Sequence, residues 1–463
     1  MLHVLPVVLS LLQTTAPQPL PELTAAEREA MAVVTVDRVR GAVSFLACDE
    51  LQGRDTGSPG LAIAAQYVAS RFRALGLEGL GPDGSYFIET ELEASQQPSE
   101  GVRVEHGGKP VAGVAIYSAT AEAYAFDGEF GKADGGPVLV DLPEPPRNRG
   151  RIPMSYLVFQ AMRQAQAGKA GAVLLRTPAE SPLWASAKAA AREPRVGRTL
   201  GGAFGRLGGK PLPVVLVPAD LELDGRVRVE VPALVTHPRK VRNVAACLRG
   251  RDPDAAKRAL LFSAHLDHIG VGAPVDGDGV FNGADDDASG VTAVLELAEA
   301  YAALPQRPRH SLLFVTFWGE EKGLLGSRRF AADPPWPLAD VIANVNIEMI
   351  GRPEPDDRGT SWMTGWTKSD LGELVAEGAA RAGVKVYEHP QLSARLYGAS
   401  DNMSFVEKGV IAHSFSSSSL HADYHGVGDE WTKLDAGSMT KVIHGLFAGT
   451  LPLAEGLRTP GRR

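Results

Sequence analysis

From Val241 onward the chain repeats one pattern that leaves few choices of fold. Short, nearly continuous apolar runs alternate with stretches that have the spacing of amphipathic helices. The runs are Asn243–Leu248, Ala259–Ala264, Ser311–Phe317, Ile342–Ile347 and Gly409–Ser414. A strand that is apolar on both faces must be covered on both faces, the condition of a sheet flanked by crossover helices. Helices are predicted at Ser289–Leu304, where Val291, Val294, Leu295 and Ala298 share a face, and at Leu371–Ala382. The fold class that follows is α/β: a mixed, mostly parallel sheet with helices on both faces.

The rest of the 463 residues divides around this block. Leu23 to about Leu80 reads as helical, with Pro59 in a first turn, a stripe at Leu61, Ala64, Ala65, Val68, Phe72 and Leu75, and Gly76 as a stop. Tyr86–Leu92 then reads as a strand. Between about Gly107 and Pro232 Gly and Pro become dense, with β-like runs at Pro137–Leu142, Gly171–Arg176 and Leu212–Pro218 and a helix containing Gln160–Gly168. The division is residues 1–21 as a signal peptide and linker, 22–106 as the N-terminal part of the main domain, 107–232 as an inserted β-rich domain, and 233–463 as the main part. The leader rests on apolar Leu2–Leu12 followed by Thr14, Thr15 and Ala16, which predicts a secreted or periplasmic protein; a buried N-terminal helix is the alternative.

A net charge of -8 argues against nucleic acid as a partner. No apolar run of about eighteen residues lies in the body of the chain, so no membrane span is expected there. Two cysteines, Cys48 and Cys247, exclude a disulfide scaffold and a Cys-rich zinc module, leaving one bridge or two free thiols.

The chemistry lies where the strands end. Ala259–Ala264 runs into His265-Leu266-Asp267, Ser311–Phe317 into Trp318-Gly319-Glu320-Glu321, and Ile342–Ile347 into Glu348. Gly409–Ser414 leads through a Ser-rich loop to Tyr424-His425, and Asp285-Asp286-Asp287 open a helix. Singly, each has a bland explanation: a surface pair, a solvated pair, a capped helix. Glu348 is costlier, since it interrupts an apolar run. Jointly they place ligand-type side chains at one sheet edge, where α/β sites form. Two zinc ions need a bridging carboxylate, a few His and carboxylate ligands, and a shared water. His265, Asp286, Glu321, Glu348 and His425 meet that demand, with Asp286 as the bridge. Asp267 would accept a hydrogen bond from His265, and Glu320 is left as general base. His268, Asp285 and Asp287 rank below these, and His413 and His421 are runners-up for the last ligand.

The segments HLDHIG, GADDDASG, WGEEKGLLGS, NIEMIG and DYHGVGDEWTKLD resemble the two-zinc aminopeptidases of metallopeptidase family twenty-eight, which also holds glutamate carboxypeptidases and glutaminyl cyclases. The resemblance covers Leu51 to about Leu434, and residues 107–232 are similar in position to a protease-associated domain. It implies a zinc-exopeptidase-like fold and two zinc ions per chain. His265 would bind the first, Asp286 would bridge, and Glu321 and His425 would hold the second. Glu320 would be the base, and Tyr424 resembles a tyrosine that stabilises the oxyanion. Glu348 stands where many members have Asp, and Asn402 in SDNMSF where His is common; Asp401 is a supporting residue only. Peptide or protein substrates follow. The resemblance implies an aminopeptidase, chiefly as the family's commonest activity and with acidic loops suited to an α-amine, with a carboxypeptidase or dipeptidase as the alternative and a non-catalytic binding protein as a third reading.

Overall fold

The computed structural model describes residues 18–143, 154–167, 169–192, 194–196 and 211–463. The leader-like segment falls on residues 1–17, outside the described residues, as does Gly168.

The nine strands of the central sheet are numbered here in chain order: β1 (Glu78–Gly79), β2 (Phe87–Gln96), β3 (Val235–Leu248), β4 (Ala259–His265), β5 (Ser311–Phe317), β6 (Val341–Ile347), β7 (Ser361–Met363), β8 (Val386–Tyr387) and β9 (Ala412–Ser416). Their spatial order is β1-β3-β5-β4-β6-β9-β7-β8, with β2 also paired to β3. The central four, β5, β4, β6 and β9, are mutually parallel. The flanking pairs β3/β5 and β9/β7 are antiparallel. The sheet is therefore mixed, with a parallel heart.

Period-two alternation explains why those strands are apolar throughout. On β4, Leu260, Phe262 and Ala264 enter one core, while Ala259 and Leu261 enter the other. The larger core is closed by α1 (Ala25–Ala32), α2 (Val36–Leu46), α3 (Pro59–Ala74) and helices Gly290–Ala302, Leu371–Ala380 and Ala436–Ala454. The smaller packs Phe317, Phe330 and Phe405 beneath helices Leu325–Ala332 and Asn402–Val406. α3 starts with Ser58 as its cap and Pro59 in its first turn. It stops where Gly76 takes φ +67°, and the Leu77 N–H returns to the Phe72 carbonyl.

Residues 103–231 build two further four-stranded sheets. One is antiparallel, through Arg103–His106, Lys109–Pro110, Arg226–Val231 and Tyr124–Glu129. The other joins Ala115–Ser118, Val214–Pro218, Ala172–Thr177 and Pro137–Asp141. Helices Met154–Ala167 and Leu183–Arg192 accompany the second. The first strand precedes the boundary drawn at 107. This segment leaves and re-enters through one ribbon, β2 against β3, paired from Phe87↔Val244 to Gln96↔Val235.

Candidate metal and catalytic site

Because β5, β4, β6 and β9 run the same way, their carboxyl ends share one edge. His265 ends β4, Glu320 and Glu321 follow β5, Glu348 follows β6, and the loop after β9 carries Tyr424 and His425. The Asp loop (Ala284–Ser289) joins them as an irregular wide turn, with Asp286 at φ -107°, ψ 91° and a cis peptide to Asp287. The helix after it enters tightly: a Cβ on Gly290 would lie 2.2 Å from the Ile347 carbonyl oxygen.

Asp286 is the centre. Its Oδ1 lies 3.0 Å from His265 Nε2, and its Oδ2 lies 3.1 Å from His425 Nε2 and 3.8 Å from His268 Nδ1. Glu321 Oε1 is 2.8 Å from His268 Nδ1 and 3.3 Å from His425 Nε2. One carboxylate thus faces two groups of donors. Glu348 is half-buried, accepts from Asn346 Nδ2 at 3.2 Å, and lines the same cavity as His265, Asp286 and Glu320.

The flanking acids hold the frame. Asp287 accepts from the backbone N–H groups of His265, Gly290 and Met349. Asp285 accepts from Gly351 N–H and pairs with His421 at 3.2 Å. Asp429 accepts from the N–H groups of both Asp285 and Asp286. His413 lies inside β9, with Nδ1 bonded to the Thr364 carbonyl and Nε2 to Ser369 Oγ. Asp401 is fully buried, and burial pushes its carboxyl up to about 7.

Two expectations change. Asp267 does hold His265, but through its main-chain carbonyl, 3.0 Å from Nδ1; its carboxylate is 3.9 Å away. The carboxylate is already engaged, Oδ1 by the Glu320 N–H at 3.0 Å and Oδ2 by the Thr56 hydroxyl at 2.9 Å. Asp267 therefore positions the Glu320 backbone, and Nδ1–H on His265 leaves Nε2 free to act as a ligand. His268, ranked below the ligands, sits among them: single atoms of His268, Asp286 and Glu321 all lie within 4.8 Å of one another. HLDHIG contained the signal, but a loop after a strand does not fix which way a second imidazole turns.

Arg54 and Thr56 were also passed over. Arg54 is buried to 1% and donates to the carbonyls of Leu266 (2.8 Å), Asn282 (2.7 Å), Gly283 (3.0 Å) and Leu46. It ties the end of β4 to the Asp loop. Cys48 and Cys247 are both free thiols, and burial pushes Cys247 up to about 12.

The electrostatics call for cations. Burial drives Glu348 up to about 8, and drives Glu320 well above the ordinary carboxylate range with Glu348, Asp401 and Glu321 adding to the effect. Against the opposing effect of burial, the imidazoles of His265 and His425 hold Asp286 well below that range. Asp286 Oδ2, Glu321 Oε1 and both ring nitrogens of His268 are buried, and among the described residues none makes a well-aligned hydrogen bond. Nitrogen and oxygen atoms that converge this closely in a buried place fit a divalent ion with nitrogen and oxygen ligands.

The fold and this edge define the class, a zinc-exopeptidase-like α/β protein. Residues 243–448 match the family model described as Peptidase family M28. A probable zinc metalloprotease of Pyrenophora teres f. teres (strain 0-1) is 33% identical over 149 residues, 30% of this chain and 31% of that protein. The chain thus spans about a third of that curated relative's length. The aminopeptidase from Aneurinibacillus sp. strain AM-1 superposes with a TM-score of 0.57 at 21% identity, covering 92% of this chain and 95% of that one. BSAP, a zinc aminopeptidase from Bacillus subtilis, also gives 0.57, at 17% identity, with 90% and 94% covered. Both likenesses are of fold. Among the described residues no helix is long and apolar enough to cross a membrane.

Proposed function

We propose that the chain is a zinc-dependent exopeptidase, an aminopeptidase that removes N-terminal residues with two zinc ions. The observation that carries the reading is Asp286, whose two oxygens face His265 on one side and His425, with Glu321, on the other. His265 and Glu348 would hold one ion, Glu321 and His425 the other, with His268 beside the second. Ions held there supply Lewis-acid polarisation of the scissile carbonyl and of the attacking water. Glu320, anchored by Asp267 and raised in pKa, takes the proton from that water and passes it to the leaving amine. Tyr424, stacked on His425 at 3.9 Å, lines the cavity where the oxyanion would form.

Met349, Trp362, Leu392, Leu396 and Leu420 continue that cavity and suit an apolar first side chain. A carboxypeptidase reading needs a cation at the site; Lys322 is tied to Asp55 at 2.9 Å and Arg352 to Asp423 at 3.1 Å, which leaves Arg395, exposed at the end of helix Leu392–Arg395, as the candidate that keeps this alternative open. Residues 107–232 are read as a protease-associated-like insertion and the leader as an export signal. The test compares peptides blocked at either end. Hydrolysis should vanish on N-terminal acetylation and survive C-terminal amidation; the reverse pattern assigns a carboxypeptidase.

A further inference from the structure

A second cavity, of about 500 Å³, is lined by Gln52, Asp55, Thr56, the start of α3, and Arg195, Arg239 and Lys240. It shares no lining residue with the apolar cavity. In a chain of net charge -8, three cations at one hollow stand out. Among the described residues, the Arg195 guanidinium donates only to the Val271 carbonyl and that of Arg239 only to the Pro238 carbonyl, and neither has a carboxylate within 4.0 Å. Lys240 reaches Glu89 and Glu91 only at 3.9 and 4.0 Å. The one acid in the wall, Asp55, is engaged by Lys322. The N-terminal end of the 16-residue α3 adds partial positive charge.

This hollow adjoins the catalytic edge. Thr56 bonds the Asp267 carboxylate, which holds the Glu320 N–H, and Asp55 bridges to His268. Lys322, two residues beyond Glu320, reaches Asp55 in the wall of this hollow at 2.9 Å. We infer that the cavity binds a carboxylate on the leaving part of a short peptide, through Arg195 and Arg239. Planar guanidinium groups match that ligand. The inference rests on the exopeptidase reading for its substrate, but not for its binding test.

The experiment uses the zinc-loaded full chain and an Arg195→Gln/Arg239→Gln variant. Substrates are Leu-Gly-Gly-Gly, its C-terminal amide, Leu-Gly-Gly-Asp-amide, and leucinamide, which carries no carboxylate. A peptide carrying a carboxylate should exceed the tetrapeptide amide in kcat/KM about tenfold, through KM, as for a charge-assisted contact. The variant should lose that advantage and hydrolyse leucinamide unchanged. An advantage of the free acid alone identifies the chain terminus as the source, and one of the Asp peptide alone identifies the side chain. Equal rates for acid and amide peptides, or an advantage the variant retains, overturn the inference. Calorimetry with Gly-Gly-Gly against Gly-Gly-Gly-amide decides it without turnover: preferential binding of the acid, lost in the variant, supports the site, and equal binding rejects it. Absent hydrolysis of leucinamide with preferential acid binding would reject the peptidase reading alone.

Discussion

Glu320 lines one cavity with Asp286 but stands outside the proposed ligand set. Glu320 has its backbone fixed by Asp267, so Glu320→Gln keeps shape and metal donors while losing the proton acceptor. Its kcat should fall by about 10²–10⁴ with zinc content unchanged by atomic absorption; a loss of metal would move Glu320 into the ligand set. His413 carries a different prediction. Burial holds its pKa down at about 4, against 6.5 ordinarily. Below pH 6.5 the unfolded chain takes up a proton that the native imidazole refuses, so its contribution is complete above 6.5 and falls toward pH 4. The slope is about 1.4 kcal/mol per pH unit. Urea unfolding of His413→Gln should show a weaker loss of stability than the parent between pH 6.5 and 4.5; parallel losses would clear His413 of the acid sensitivity.

At the scale of elements, legibility followed burial. β4, β5 and β6 were plain in the sequence because strands covered on both faces must be apolar throughout. β9 begins at Ala412 rather than Gly409, because Gly409 takes φ +88° to close helix Asn402–Val406. β7 and β8 escaped notice: two or three residues are too short for a period to declare itself. Strand ends likewise pointed to the acids and imidazoles, but not to the contacts among them. The place of His268 depends on Arg54 and Asp55, far away in sequence. Arg54 itself looked like one charge in a turn, yet it is the one fully buried Lys or Arg among the described residues. Arg54→Met would orphan the carbonyls of Leu46, Leu266 and Asn282 and leave Gly283 only the Ala288 N–H. The urea midpoint should fall by an equivalent of about 3 kcal/mol or more, with weaker zinc binding; a stable, zinc-replete variant would show the loop holds itself.

For the whole molecule, binding and stability are linked, since ligands that meet only in the folded state transfer their binding energy to it. Chelation should lower the melting temperature by several degrees, and added zinc should restore it, with about 2.7 kcal/mol expected at a hundredfold excess over Kd. Metal analysis of the restored protein should find two ions per chain. A melting temperature indifferent to chelator would contradict a cage assembled by folding.

The β2/β3 ribbon has a consequence of its own. Its far ends, Gln96 and Val235, sit side by side, so to the central sheet the 138 residues between them amount to a hairpin tip. Loop-closure entropy grows only with the logarithm of length, so this excursion weighs little more on the sheet than a modest turn. Lineages could lengthen, trim or exchange it without disturbing the central sheet, although Arg195 of the basic hollow would be exchanged with it.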